Sequence, residues 1–417
     1  MALIVQKYGG TSVGDPERIK RVADRVVASA ADGDSVCVVV SAMGDATDDL
    51  LELAARVSAT PHDRELDMLL TAGERISMAL LSMAIIDRGR KAVSFTGAEA
   101  GIITDASHGK ARIVEVRAQR VAKALEAGTI VIVAGFQGVS TTDDVTTLGR
   151  GGSDMTAVAM AAALDADVCE IYTDVEGVYT ADPRVVPDAR KLDAVSYEEM
   201  LELATSGAKV LMSRCVETAR NQGVLIHVRS SFSPAPGTWI KPEDERMEQA
   251  IITGIAHDTS EAKVTIVGVP DRPGIAARVF RPLADSGINI DMIVQNTSAE
   301  GKTDISFTLP KTDLKLARTV LAQVCRDVGA TDFQAEDDIA RISLVGAGMK
   351  THPGVAADMF DALADAGINI EIISTSPIRI SCVVRASEIE RAVRVVHDRF
   401  RLADPAVYRE ESAVVPR

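Results

Sequence analysis

The chain has 417 residues, a quarter of them charged, and a formal net charge of −15. That length suits two or three domains around at least one large core. The acidic balance excludes a general nucleic-acid binder, which needs a cationic face, and leaves any phosphate recognition to a few local cations.

In chain order, the first elements read as strand 2–8, amphipathic helix 15–31 and strand 35–42. Helices 45–58 and 63–88 follow, then strands 91–95 and 129–135, helix 153–165 and the strand "DVCEIYTD". Helices 196–205 and 207–222 lead to the strand "VLIHVRS". Several strands are apolar on both faces and alternate with helices. Residues 1–231 are therefore expected to form an α/β domain, a mainly parallel sheet with helices on both faces. Prolines and a charge cluster mark 232–249 as a linker.

Beyond the linker, 264–293 is repeated at 342–373, in a fixed 80-residue register from Pro273–Gly274 onward. Gly287-Ile288-Asn289-Ile290 thus maps onto Gly367-Ile368-Asn369-Ile370. Each copy reads as a ferredoxin-like βαββαβ unit, one over 250–335 and one over 336–417, paired side by side. The leading strand 250–256 is free to pair with the second unit instead of the first.

Five cysteines without C-x-x-C spacing point to reduced thiols and a cytoplasmic protein. The start, "MALIVQKYGG", is unlike a signal peptide. The apolar runs read as too short to cross a bilayer, so no membrane partner is expected.

Two glycine loops stand at strand–helix junctions: "KYGGTSVG", Lys7 to Gly14, and "TTLGRGGSD", residues 146–154. Each reads either as a tight turn or as an anion site of bare amides at a helix start. One carries Lys7 and the other Arg150, which favours the anion site. Ser153 is placed to cap the helix that follows. Neither loop is a P-loop, and Asp154 stands where a dinucleotide fingerprint needs glycine.

"KYGGTS", "LLTAGER", "FQGV", "TTLGRGGSD" and "YTDVEGVYTADPR" together resemble the aspartokinase family, of the amino-acid kinase superfold. The downstream repeat resembles the paired ACT domains of its lysine- and threonine-regulated members. The resemblance implies transfer of the ATP γ-phosphoryl, with Mg²⁺, to the side-chain carboxylate of L-aspartate. This is the first step toward lysine, threonine and methionine. Such a carboxylate, with a pKa of about 4, is already ionised at neutral pH, so no general base is required. The six histidines are accordingly scattered.

Carried over residue by residue, Lys7 meets the transferring phosphoryl group beside Tyr8, Gly9 and Gly10, and Asp154 orients it. As a loop cation, Lys7 is expected to matter for turnover and not for folding. Arg150, with Gly151, Gly152 and Ser153, holds the substrate α-carboxylate; Glu74 meets the α-ammonium; Ser41 and Thr47 add contacts. Read without the family, Glu74 could equally pair with Arg75 or with a neighbouring helix. Thr173, Asp174, Val178, Tyr179, Asp182, Arg184 and Lys209 fall on the nucleotide side, although Tyr179 could be core and Asp182-Pro183 a turn. One departure is Met155, where the family usually has threonine.

Effector residues implied by the resemblance are Asp271, Gly274, Ile275, Ala276, Asn289, Ile290, Asp291 and Gln295, with Val355, Ala356, Asn369, Ile370, Ser376 and Pro377. Where lysine-sensitive relatives commonly carry glutamate, this chain has Pro377, so a threonine response with a weakened lysine response is expected. Glu371 and Asp291 could compensate in part. A homo-oligomer through the ACT units is implied, and a shorter regulatory subunit starting near Met247 is open. Two other readings remain: a non-catalytic amino-acid sensor, and a kinase for glutamate, acetylglutamate or a nucleotide. The set Lys7, Glu74, Arg150, Ser153 and Asp154 argues against the first. The repeat, with Glu74 and Arg150, favours aspartate over the second.

Overall fold

The computed structural model describes residues 2–243, 252–296, 301–350 and 352–404. They form two compact units. The first holds the described residues to Val178, Lys191–Thr205 and those from Lys209 to 243. The second holds Tyr179–Arg190, Ser206–Ala208 and the described residues from 252 onward.

The first unit opens with β1 (Leu3–Tyr8), a 3-10 turn (Gly10–Val13), α1 (Pro16–Ala31), β2 (Ser35–Val40), α2 (Ala46–Val57), α3 (Asp63–Leu70) and α4 (Ala72–Ile86). It continues through β3 (Ala92–Phe95), β4 (Ile102–Thr104), β5 (Ile113–Val116), α5 (Gln119–Glu126), β6 (Ile130–Ala134), β7 (Gln137–Ser140), β8 (Val145–Thr147) and α6 (Gly152–Leu164). It closes with β9 (Val168–Thr173), β10 (Ala194–Ser196), α7 (Tyr197–Thr205), α8 (Ser213–Gln222), β11 (Ile226–Ser230) and β12 (Thr238–Lys241).

Eight strands form one sheet in the order β10-β12-β11-β9-β1-β2-β6-β3, parallel except at the β11–β12 pair. Helix α1 starts where Asp15 accepts the Arg18 N–H and Pro16 takes the first position. Its buried Ile19, Val22, Ala23 and Val26 pack with Leu81 and Ile85 of α4 on Val36, Val38 and Ile132 of the sheet. Helix α6 packs across β1, β2 and β9. Its residues Ala157 to Ala161 are all buried, so it is enclosed and not amphipathic. A second sheet, β5-β4-β7-β8, was not anticipated; its strands are only three or four residues long.

Several boundaries differ from expectation: the helix expected over 207–222 begins only at Ser213. The helix expected over 63–88 breaks at Thr71, whose carbonyl accepts from the Gln137 side chain while the Arg75 N–H bond to it stretches to 3.4 Å. The helical stretch Asp63–Ile86 is long and apolar enough to cross a bilayer, against the sequence reading, but half of its 18-residue apolar window is buried inside the protein. Strand β12 lies within the expected linker and completes the first unit, because Ile240 pairs with Ile226 and Val195.

The second unit contains the duplicated modules. In the first, β14 (Glu261–Pro270), α9 (Ile275–Asp285), β15 (Ile293–Gln295), β16 (Lys302–Pro310), α10 (Leu314–Val328) and β17 (Asp332–Glu336) form the sheet β15-β16-β14-β17. In the second, β18 (Ile339–Val345), α11 (Val355–Asp365), β19 (Ile372–Ser376), β20 (Arg379–Arg385) and α12 (Ile389–Arg399) form β13-β18-β20-β19. The edge strand β13 (Gly254–Asp258) precedes both modules in sequence and pairs with β18, so the first module is inserted within the second. Helices α9 and α11 both begin after a left-handed glycine, Gly274 (φ 84°) and Gly354 (φ 106°), as the 80-residue register requires. Residues 250–251 and Met247 lie outside the described residues.

Candidate active site

Lys7 is the penultimate residue of β1, in parallel register with Val39 of β2 and Ile171 of β9. It stands at the carboxyl ends of three adjacent strands, where parallel sheets open their ligand crevice. It is not the loop cation expected. Lys7 is 9% exposed, and its Nζ lies 2.6 Å from Asp154 Oδ1 on the first turn of α6. A Cβ built on Gly9 would stand 3.3 Å from that Nζ, and one on Gly10 would stand 3.0 Å from the carbonyls of Ala42 and Gly44. The loops after β1 and β2 therefore close on each other beside the ammonium, most tightly at Gly10, where a side chain would press on backbone carbonyls.

Ala42 links this corner to Glu74. Its N–H donates to Glu74 Oε1 at 3.1 Å, while Oε2 is buried with no hydrogen-bond partner. Gly73 makes the approach possible, since a Cβ there would fall 2.7 Å from that of Ala42. No ion pair joins Glu74 to Arg75 among the described residues. Burial instead pushes the Glu74 carboxyl up to about 7. Ser41 is held by its carbonyl, which accepts from Ser77 Oγ at 2.6 Å, and Thr47 lies in the first turn of α2.

Arg150 sits at the tip of the turn between β8 and α6, flanked by left-handed Gly149 (φ 74°) and Gly151 (φ 73°). It is exposed and has no ion pair or hydrogen bond among the described residues. Gly151, not Ser153, is the N-cap of α6, and no side chain caps the helix. Ser153 lies inside the first turn and its N–H stays available to an anion, whereas the Gly152 N–H is taken by the Gly149 carbonyl at 2.9 Å. Its helix fits because Gly135 is bare: a Cβ at 135 would reach 2.8 Å from Ser153 Oγ. A Cβ on Gly151 would strike Met212 Cγ at 2.1 Å. Cys169 and Cys215 lie near Lys7 and Asp154, but burial pushes both thiols well up, which removes them as nucleophiles.

Cations, bare amides and one buried carboxylate lacking a counter-charge thus surround the strand ends, as a zwitterion beside a polyphosphate requires. Residues 2–230 match the amino acid kinase family, and 264–324 with 342–400 match the ACT domain. The aspartokinase of Mycolicibacterium smegmatis is 60% identical over 407 residues, covering 96% of this chain and 97% of that one. The chain belongs to the aspartokinase family. The aspartokinase of Corynebacterium glutamicum is 56% identical over 420 residues, covering 100% and 99%. Escherichia coli aspartokinase III, solved with aspartate and ADP, superimposes with a TM-score of 0.82 at 27% identity, covering 95% of this chain and 99% of that one. The activity is ATP-dependent phosphorylation of aspartate by an aspartokinase with ACT regulatory domains.

Other residues expected at this aspartokinase site fall less simply. Tyr8 is fully buried, its ring stacked on Tyr172 at 4.7 Å, so its side chain serves the core and not the nucleotide. Val178 is also core, its N–H donating to Thr238 Oγ1. Thr173 Oγ1 donates to Asp174 at the carboxyl end of β9, and Lys209 is exposed. Tyr179, Asp182 and Arg184 belong to the second unit. There Asp182 accepts from both the Arg184 backbone and its guanidinium, the turn reading of that dipeptide. Met155 is the fourth residue of α6 and half-buried. The sequence reading gave no separate role to Phe136 of "FQGV", held at φ 67° against Gly152, and missed Asp67, fully buried against Thr147 below the Arg150 turn.

Proposed function

We propose that Lys7, steadied by Asp154, neutralises the transferring phosphoryl group while Arg150 and Glu74 hold aspartate by its α-carboxylate and α-ammonium. The aspartate β-carboxylate attacks the γ-phosphorus in line, the bond to the β,γ-bridging oxygen breaks, and 4-phospho-L-aspartate and ADP leave. Positioning and charge neutralisation supply the catalysis. Amides of Gly10 and Ser153 line the anion path, while Gly9 and Gly152, whose N–H groups bond the Tyr172 and Gly149 carbonyls, leave room beside it. Ser41 and Thr47 border the aspartate pocket, and Thr173, Asp174 and Lys209 border the nucleotide. Mg²⁺ supplies further neutralisation.

The observation that carries this reading is the Lys7–Asp154 pair set at the strand ends between two glycine loops. Trapping the acyl phosphate with hydroxylamine, with glutamate as the control substrate, tests it. Arg150→Ala is expected to raise the KM for aspartate about 10²-fold with a far smaller change in the KM for ATP. Equal changes in both would remove Arg150 from the aspartate pocket.

Regulation follows from the second unit. Exposed Asp271, Gly274, Ala276, Asn289 and Gln295, with Ala356, Ile370 and Asn369, frame the proposed threonine response, and the ACT units carry the homo-oligomer. Ile275 and Val355 pack in the module cores and contribute backbone groups only. The carboxylates expected to compensate for Pro377 are already engaged. Asp291 pairs with the buried Arg341, and Glu371 pairs with Lys263 and Arg385. Pro377 sits in the two-residue turn between the paired Ser376 and Arg379.

Lysine inhibition is therefore weak, and Pro377→Glu lowers the lysine concentration needed for half-inhibition at fixed threonine by about ten-fold or more. Strong lysine–threonine synergy in the unmodified enzyme at low millimolar effector would refute this. A separate regulatory subunit begun near Met247 remains part of the proposal, as does a cytoplasmic location suited to five buried free thiols.

A further inference from the structure

We propose that Asp67 is a positioning residue whose contacts with His108, Gly109 and Thr147 set the place of Arg150 and hence the affinity for aspartate. The inference rests on the reading of Arg150 as the aspartate clamp.

Asp67 belongs to α3 and is completely buried. Its two oxygens accept from three groups at two places in the chain. The His108 ring Nδ1 lies at 2.7 Å, the Gly109 N–H at 3.1 and 3.2 Å, and the Thr147 hydroxyl at 2.5 Å. A buried carboxylate is expensive unless its lone pairs are filled, and here they are filled by groups that flank one loop. Thr147 ends β8, three residues before Arg150. The loop through Gly109 lies directly against Gly149, where a Cβ would come 3.1 Å from the Gly109 carbonyl. The Ala111 N–H closes the bracket by donating to the Thr147 carbonyl at 2.9 Å. On the same helix, Arg64 grips Asp144 of the β7–β8 turn.

Arg150 has no side-chain partner of its own among the described residues. Its guanidinium is therefore aimed only by its backbone, and the backbone is held from the β8 side by Asp67. Displacement by an ångström at such a point typically changes rates or affinities by up to about 10²-fold. Asparagine is not an equivalent of Asp67, because its amide NH₂ would face donors.

The test uses the full-length enzyme and steady-state kinetics in both substrates. Thr147→Val and His108→Ala each remove one contact and keep the helix. Each is expected to raise the KM for aspartate roughly ten-fold, with kcat and the KM for ATP within about two-fold. Thr147→Ser restores the hydroxyl and the affinity. Asp67→Ala, if it folds, shows the largest rise; if it does not, the two milder variants decide. Thr147→Val placed on Arg150→Ala adds nothing further to the aspartate KM, because the clamp it positions is gone. A folded Thr147→Val enzyme with an unchanged aspartate KM overturns the proposal. So does one that loses kcat and both KM values in step with thermal stability. If Arg150→Ala alone leaves the aspartate KM unchanged, the clamp reading fails instead, and that outcome is read before the Asp67 variants are scored.

Discussion

Lys7→Ala lowers kcat by at least about 10³-fold, the scale of losing a principal electrostatic contact to the transferring group. The loss has two parts. The ammonium that faces the phosphoryl group disappears, and Asp154, 2.6 Å away, is left as a bare carboxylate beside the incoming polyanion. The change also reaches the fold. Both side chains are about nine-tenths buried, and removing one partner of a buried pair typically destabilises by roughly 3–5 kcal/mol. Lys7→Ala therefore melts earlier than the parent. Lys7→Ala with Asp154→Asn recovers much of the melting temperature without recovering turnover. Acyl hydroxamate formation and thermal melts separate the two effects. Turnover within ten-fold of the parent in Lys7→Ala would sink the phosphoryl assignment.

Glu74→Gln moves stability and affinity in opposite directions. The Glu74 carboxyl is pushed up to about 7 by burial from an ordinary value of 4.5. Between those two pH values the native state holds a proton that the unfolded chain has released, so stability falls as pH rises through this window. Above pH 7 the ionised carboxylate costs the ligand-free protein about 3 kcal/mol. Glutamine keeps the acceptor for the Ala42 N–H and carries no charge. At pH 8 the variant should melt higher than the parent, with little difference near pH 4.5.

Aspartate binding responds the other way. The α-ammonium needs the ionised form, so kcat/KM for aspartate in the parent enzyme falls about ten-fold per pH unit below 7. In Glu74→Gln it is lower by about 10²-fold and loses that pH dependence. A variant that melts lower at pH 8 would show that the carboxylate already has a counter-charge in the free enzyme.

The alternation of buried strands with helices, the 80-residue duplication and the two glycine loops were legible in the chain itself. Each is a local or periodic signal. Two-faced apolar runs imply a covered parallel sheet, a repeated Pro-Gly and Gly-Ile-Asn-Ile imply a repeated module, and glycines before a helix imply exposed amides. The pairing of Lys7 with Asp154 came from the family pattern, and so did the placement of Arg150 and Glu74.

The remaining features depend on residues distant in sequence. Strands of three or four residues, such as β4, β7 and β8, are too short to show a period and exist because neighbours supply their hydrogen bonds. Strand β12 hides among prolines because its partners lie ten or more residues away. The module nesting follows from a strand, β13, that finds its edge more than eighty residues downstream. Lys7 reads as a loop cation until β2, β9 and α6 close around it and exclude water. Glu74 is an ordinary helix carboxylate until Gly73 brings it under Ala42. Asp67 carries no motif at all, since its meaning lies in donors 41 and 80 residues away, and only packing brings such groups within hydrogen-bond reach.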